Sequence, residues 1–154
     1  MSNPAVYAAG DAVAIGGFPL TPVAGMQGAI VASNLLKGNH RTPNYAGTPS
    51  VVFTTPPLAR VGLTEEAARR RGLALCDKPW RHVRPIFLTT GSRATHGFQD
   101  AGRGGDRADL GAHLLGLHAE EVINLFGLAI RTGIRATDLK YTVFAYPTSA
   151  SDLG

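Results

Sequence analysis

Apolar side chains recur at helical spacing in the first quarter of the chain, from position 21 onward. Thr21 stands where an N-cap belongs, and Pro22 follows at the first helical position, where its missing N–H removes no helical hydrogen bond. Gly38 ends the pattern, as glycine commonly does just past the last turn of a helix. The apolar positions between them are Val23, Met26, Ile30, Val31 and Leu35. This spacing predicts one amphipathic helix.

A short apolar run, residues 5–9, precedes this helix and predicts a strand that ends at Gly10 and Asp11. Strand, glycine-rich turn and helix then follow one another, and the N-terminus of the helix faces the turn. Such a terminus carries partial positive charge and suits an anionic or polar cofactor atom. Units of this kind occur in many folds, so the pattern alone assigns no function.

The middle of the chain combines a β-branched run with a short polar helix. The run "SVVFTT" predicts a strand that stops at Pro56 and Pro57. The next segment, "GLTEEAARRRGL", predicts a helix with Thr64 as N-cap, two glutamates in its first turn and arginines in its last. Gly72 lies just beyond that helix, and "LALCDKPW" follows as a further predicted strand.

The last third of the chain repeats the order of strand and helix. The strand "LGAHLLG" leads into a helix, "HAEEVINLFGLAIRTG", that stops at Gly133. Its apolar face consists of Val122, Ile123, Phe126, Ala129 and Ile130. A short helical turn, an apolar strand in "YTVFAY" and a proline-containing terminus close the chain.

Strands followed by helices predict an α+β domain, an antiparallel sheet with helices on one side, over residues 41–154. Residues 1–40 are interpreted as a separate strand-helix remnant of an α/β layer, whose other strands are absent from the sequence.

Composition and charge narrow the function classes. With 44% hydrophobic and 17% charged residues, the chain is typical of a soluble globular protein. The formal charge of +4 and one tight basic cluster, residues 69–71, are too little to indicate nucleic-acid binding. No signal-peptide pattern and no membrane-length apolar run occurs, which favours the cytoplasm. Cys76 is the one cysteine, which excludes an intrachain disulfide, a CxxC redox pair and a cysteine zinc site.

Five segments resemble one family in the same order along the chain. They are "VYAAGDAV", "PLTPVAGMQGAIVASNLL", "PSVVFTTPPLARVGLTEEAA", "LGAHLLGLHAEEVINLFGLAIRTG" and "AYPTSASDL". Together they resemble the C-terminal part of the pyridine nucleotide-disulphide oxidoreductases, the group of glutathione reductase, mercuric reductase and dihydrolipoamide dehydrogenase. The match is weak only over residues 78–109. The resemblance implies an FAD flavoenzyme in which NAD(P)H reduces flavin and flavin reduces a disulfide.

The resemblance also implies site residues at the start of the chain. It places the Gly10-Asp11 turn on the FAD ribityl chain and the helix start near the flavin ring. The helix residues concerned are Thr21, Pro22, Val23 and Ala24. A carboxylate can accept hydrogen bonds from sugar-like hydroxyls, and helix N–H groups stabilise negative charge on a reduced flavin. The alternative for Asp11 is an ordinary turn residue.

Several parts of the family are missing from the sequence. It contains no GxGxxG motif, no nicotinamide domain and no cysteine pair. We therefore expect a C-terminal fragment that is incomplete for catalysis alone, working as a homodimer or with a separate N-terminal half that binds FAD and NAD(P)H. A non-catalytic dimerisation module and a non-functional gene remnant are the alternatives.

The terminus departs from the family pattern. The disulfide-reducing members carry a His-Pro-Thr motif with a glutamate five residues beyond the histidine, and these positions are Tyr146 and Ser151 here. A phenol with a pKa near 10 is a poor base at neutral pH, although it can donate a hydrogen bond. His113 and His118 are interpreted as capping or surface residues rather than replacements, and no metal site is predicted.

The family picture assigns the dimer surface to "EEVINLFGLAIR" and "YTVFAY", with a role in the domain's own core as the alternative. The glycine-rich stretch "AGRGGDR", residues 101–107, suggests either a phosphate nest or a surface loop when taken alone. In the family, a β-hairpin occupies this position. Since residues 99–109 lack the expected alternation, an out-of-frame translation of this stretch is one hypothesis, and divergence of a tolerated loop is another.

Overall fold

The computed structural model describes residues 3, 6–13, 18–72, 81–82, 95–100 and 110–153. The chain divides into two compact units, Met1–Tyr45 and Ala46–Gly154. The helices are α1 (Thr21–Lys37), α2 (Glu65–Arg70), α3 (Ala119–Thr132) and α4 (Ala136–Lys140). The strands are β1 (Ser50–Val52), β2 (Leu58–Gly62), β3 (Arg81–His82), β4 (Thr95–Asp100) and β5 (Leu110–Leu115).

Helix α1 dominates the first unit and ends where the sequence predicts, at Gly38 with a φ of +78°. Its start differs by one residue from the prediction, because Thr21 is the first helical residue and Leu20 occupies the N-cap position. The reason is the hydrogen bond from the Ala24 N–H to the Leu20 carbonyl (3.0 Å), which makes Leu20 the first acceptor of the helix.

The strand predicted at residues 5–9 is wrong for the part of it that the structure describes. Ala9 has an extended backbone, with φ −144° and ψ 158°, but residues 6–9 pair with no neighbouring strand. A strand needs a hydrogen-bonding neighbour, and the described residues of the first unit contain no other strand. A single 3-10 turn, Gly10–Ala12, follows instead.

The second unit is built on an antiparallel sheet with the strand order β1-β2-β5-β4-β3. In the centre of the sheet, Ala59 pairs with Leu114 and Val61 with Ala112. Helix α3 packs on β2 and β5, so the predicted α+β class with an antiparallel sheet is confirmed. On either side of the glycine-rich stretch, β4 and β5 pair antiparallel along their length, from Thr95 with Leu115 to Asp100 with Leu110.

The core of this unit lies between the sheet and α3. Burial alternates along β2, where Ala59 and Val61 face inward and their neighbours are exposed. The largest fully buried side chains are Phe126, Leu114 and Ile123. The predicted apolar face of α3 thus serves the domain's own core, with Val122 and Ala129 buried beside Phe126 and Ile123.

Two glycines allow α3 to approach the chain that leads into β1. A Cβ on Gly127 would lie 2.8 Å from the Gly47 carbonyl oxygen, and a Cβ on Gly47 would lie 2.3 Å from the Gly127 carbonyl oxygen. Gly47 also has a φ of +69°, which side chains rarely adopt. The contact therefore requires glycine on both sides.

The signals predicted at the ends of α2 and α3 are confirmed. The Ala67 N–H donates to the Thr64 hydroxyl (3.2 Å), which caps α2. Gly133 ends α3 in the left-handed region, with φ 74° and ψ 23°. The strand predicted at residues 73–80 lies outside the described residues.

The strand predicted in "YTVFAY" is wrong. Residues 142–145 are irregular, because Thr142 turns its hydrogen-bonding groups back onto α4 rather than into a sheet. Its N–H donates to the Leu139 carbonyl (3.3 Å) and its hydroxyl to the Asp138 carbonyl (2.7 Å). Phe144 packs against the core, whereas Val143 is 96% exposed.

Candidate functional site

The Gly10–Ala12 turn lies against the first two turns of α1. The Gly10 N–H donates to the Oε1 atom of Gln27 (2.6 Å), and the Val13 N–H donates to the Gly10 carbonyl (3.0 Å). Gly10 has a φ of +69°, and a Cβ built on it would lie 3.4 Å from the Cβ of Ala24. The predicted cofactor residues Gly10 and Ala24 therefore lie close together, and a side chain at position 10 would press against Ala24.

Gln27 makes hydrogen bonds both to this turn and to Tyr45, the last residue of the first unit. Gln27 is only 5% exposed, because this polar residue lies on the predicted apolar face of the helix. Its Nε2 donates to the Tyr45 hydroxyl (2.8 Å), and the Tyr45 ring meets Phe18 edge-on with centroids 6.2 Å apart. Sequence reasoning missed Gln27, because glutamine counts as a polar surface residue in a periodicity argument.

The remaining predicted cofactor residues offer exposed polar groups or backbone. Asp11 is exposed within the turn, and Thr21 and Pro22 are exposed at the start of α1. Val23 is buried, at 4% exposed, and presents little surface to a ligand. Leu20 has no side-chain acceptor to cap the helix, which leaves the terminal N–H charge available.

These groups fit the flavin end of FAD chemically. The exposed carboxylate of Asp11 can accept hydrogen bonds from hydroxyls, and the helix terminus can stabilise negative charge. A glycine in the turn lets the backbone approach closely.

Tyr146 lies in a turn at the end of the second unit and is 73% exposed. The Tyr146–Pro147 peptide bond is cis. The Thr148 hydroxyl donates to the Ala145 carbonyl (2.6 Å), and the Ser151 hydroxyl donates to the Thr148 carbonyl (2.6 Å). Ser151 therefore stabilises the turn rather than orienting the phenol of Tyr146.

The two histidines considered in the sequence lie in β5 and directly before α3. His113 is half-buried in β5, paired across the sheet with Arg60. His118 is exposed at the N-cap position of α3 with a φ of 62°, and its side chain makes no capping hydrogen bond. The surface interpretation therefore applies to His118, and the capping interpretation does not.

One ion pair perturbs a titratable group in the second unit. Arg135 makes two hydrogen bonds to Asp138, from Nε to Oδ2 (2.8 Å) and from Nη2 to Oδ1 (2.9 Å). The side-chain hydrogen bond from Arg135 lowers the pKa of Asp138 below its ordinary value.

The described residues contain no group of three or more His, Cys, Asp or Glu side chains arranged to hold a metal ion. Across the same described ranges, no helix has both the length and the apolar character needed to cross a bilayer.

The glycine-rich stretch 101–107 lies outside the described residues, and its flanks pair in register, Asp100 with Leu110.

Comparison with known proteins supports the family resemblance. The model of the pyridine nucleotide-disulphide oxidoreductase dimerisation domain matches residues 48–154. An uncharacterized 19.7 kDa protein in a mercuric resistance operon of Staphylococcus aureus is 45% identical over 99% of this chain and 85% of its own length.

Full-length enzymes match over similar stretches of this chain. Glutathione reductase of Pisum sativum is 33% identical over 98% of the chain, and dihydrolipoyl dehydrogenase of Staphylococcus aureus is 35% identical over 93%. The chain spans 27% and 30% of the lengths of these two enzymes.

A solved structure gives the same result for the fold. The HOCl-induced flavoprotein disulfide reductase RclA from Escherichia coli superposes with a TM-score of 0.76 at 28% identity, over 96% of this chain and 34% of that chain. The chain therefore belongs to the pyridine nucleotide-disulphide oxidoreductase family, and residues 48–154 are its dimerisation domain.

Proposed function

We propose that this chain contributes the dimer interface and part of the flavin site of an FAD-dependent NAD(P)H oxidoreductase, and that it does not turn over alone. The observation that carries the proposal is the Gly10–Ala12 turn, packed on the start of α1 in a chain that also carries a family dimerisation domain. The proposal also divides the chain into two domains, one for the flavin and one for the dimer. Residues 1–40 belong to an FAD-binding domain, and residues 41–154 form the interface domain.

Each cofactor residue has a specific role in this proposal. Asp11 accepts hydrogen bonds from the ribityl hydroxyls of FAD, and Gly10 lets the turn approach the cofactor. The backbone at Thr21, Val23 and Ala24 places positive helix-terminal charge beside the flavin ring, and Pro22 starts the helix without an N–H. When bound, FAD supplies the hydride and electron transfer chemistry.

Partners follow from the family and from what the sequence lacks. The chain forms a homodimer through residues 41–154, or binds a separate half that holds the adenine end of FAD and the NAD(P)H. Tyr146 serves as a hydrogen-bond donor at the family's histidine position, because a phenol donates a hydrogen bond but is a poor base at neutral pH. We place the chain in the cytoplasm, where a single cysteine such as Cys76 stays reduced.

Titration of the purified chain with FAD, followed by flavin fluorescence, tests the flavin role. We expect saturable binding with a Kd of about 0.1 mM or tighter, and Asp11→Ala to weaken it about tenfold, because hydrogen bonds to the carboxylate are lost. Asp138→Ala, which removes an exposed aspartate of α4, is the matched control and should leave the Kd unchanged. Absence of saturable binding by the unmodified chain would overturn the flavin role.

A second function is favoured by the terminus. Because Tyr146 and Ser151 occupy the positions of the family's histidine and glutamate, a non-catalytic dimerisation module is the alternative. A purified chain that is dimeric yet colourless after incubation with FAD and removal of the unbound cofactor would support this module instead.

A further inference from the structure

The buried Gln27 and the half-buried Tyr45 form a hydrogen-bonded pair that contacts the turn carrying Asp11 and the chain that enters α1. Gln27 accepts from the Gly10 N–H (2.6 Å), next to Asp11, and donates to the Tyr45 hydroxyl (2.8 Å). The Tyr45 ring meets Phe18, three residues before α1 begins. One pair of side chains thus connects the turn that carries Asp11 to the chain entering the helix.

The chemistry of Gln27 suits this connection. A buried amide with both a donor and an acceptor can bridge two groups, and each bond left unmade in the interior is costly. An apolar residue would fill the same space and would leave the Gly10 N–H without its acceptor. The burial of Gln27 and its two hydrogen-bond distances therefore indicate that its hydrogen bonds, and not its volume, matter at this position.

We infer that Gln27, supported by Tyr45, is a positioning residue that fixes the Gly10–Ala12 turn on α1 and so holds Asp11 where it meets the flavin. The inference rests on the proposed function for its flavin part. The positioning of the turn itself can be measured without any cofactor.

Asn34 provides a matched control on the same helix. It lies seven residues beyond Gln27, on the same face, and is also buried, at 8% exposed. Its Oδ1 accepts from the N–H groups of His40 (3.3 Å) and Arg41 (3.0 Å), and its Nδ2 donates to the Arg41 carbonyl (2.8 Å). These hydrogen bonds hold the segment after α1, and none of them reaches the Gly10 turn.

The experiment compares Gln27→Leu with Asn34→Leu in the whole chain. Amide hydrogen exchange of Gly10, measured by NMR, should accelerate about tenfold in Gln27→Leu and remain unchanged in Asn34→Leu. The Kd for FAD should rise about tenfold in Gln27→Leu alone. Tyr45→Phe, which removes the hydroxyl and keeps the ring, should give a smaller change in the same direction and serves where Gln27→Leu unfolds.

Each outcome decides the inference. Unchanged Gly10 exchange in Gln27→Leu and Tyr45→Phe, or equal acceleration in Asn34→Leu, would overturn the positioning role. Faster exchange with an unchanged Kd would overturn its link to flavin. If the unmodified chain binds no FAD, the proposed function fails, and the Gly10 exchange rates still decide whether Gln27 positions the turn.

Discussion

At the scale of single residues, the close contact of Gly127 with Gly47 distinguishes it from Gly28, a helical glycine with open space around it. We therefore expect alanine at Gly127 and alanine at Gly28 to change the free energy of unfolding in opposite directions. Gly127→Ala places a Cβ 2.8 Å from the Gly47 carbonyl oxygen, so we expect it to lower the free energy of unfolding by about 1 to 3 kcal/mol. Gly28→Ala on α1 meets nothing within 4 Å and should raise it by up to about 1 kcal/mol. Urea unfolding of both variants checks this, and equal effects would show that the close contact is absent.

The ion pair of Arg135 with Asp138 predicts a pH dependence. Since the pKa of Asp138 is lowered in the folded chain, the stabilisation is present at neutral pH and is lost as the pH falls through the lowered pKa. Arg135→Gln should return the pKa of Asp138 to its ordinary range, and Lys140→Gln should change it far less. NMR titration of the Asp138 carboxyl measures both, and an unchanged pKa in Arg135→Gln would contradict the assignment.

Residues whose role is local could be predicted from the sequence. Thr64, Gly38 and Gly133 act through their immediate neighbours, and each lies where its chemistry requires. Gln27 and Asn34 could not be predicted, because a buried polar side chain is decided by partners distant in sequence. For the same reason the candidate flavin turn was predicted through the family resemblance and not from its hydrogen bonds.

At the scale of elements, helices were easier to predict than strands. The apolar spacing of α3 specifies its buried face without knowledge of the sheet. The predicted strands at residues 5–9 and in "YTVFAY" satisfy strand composition, yet the described parts of both lack a pairing neighbour. A strand depends on a distant partner, so apolar β-branched composition is insufficient to predict one.

The capping of α2 predicts the effect of a conservative substitution. Thr64→Ala removes the acceptor of the Ala67 N–H and should lower the free energy of unfolding by about 1 kcal/mol. Thr64→Ser keeps a hydroxyl at the same position and should cost only a few tenths of that amount. Thermal unfolding of the two variants compares them, and an equal loss in both would argue against a capping role.

At the scale of the whole molecule, the chain joins a family dimerisation domain to the segment that carries Asp11. Helix α3 is one of the two proposed dimer surfaces, but most of its apolar face is buried in the domain's own core. The large exposed hydrophobic residues of the second surface are Tyr141, Val143 and Tyr146. The proposed homodimer would therefore bury more free apolar surface on the terminal segment than on α3.

This distribution predicts a variant that separates the subunits. Val143→Glu places a carboxylate on the proposed interface and should raise the dimer dissociation constant at least about tenfold, because an unpaired charge would be buried. Leu36→Glu, at a residue that is 84% exposed and outside residues 48–154, should leave it unchanged. Sedimentation equilibrium measures both constants. A dimer weakened equally by both variants would locate the interface elsewhere.

The central claim is that one chain supplies both a dimer interface and part of a flavin site. Sedimentation velocity of the unmodified chain with FAD, recorded at the visible absorbance of flavin, tests both parts together. We predict a boundary of twice the mass of one chain that carries flavin absorbance with it. A boundary of one chain's mass, with the flavin left unsedimented, would contradict the claim.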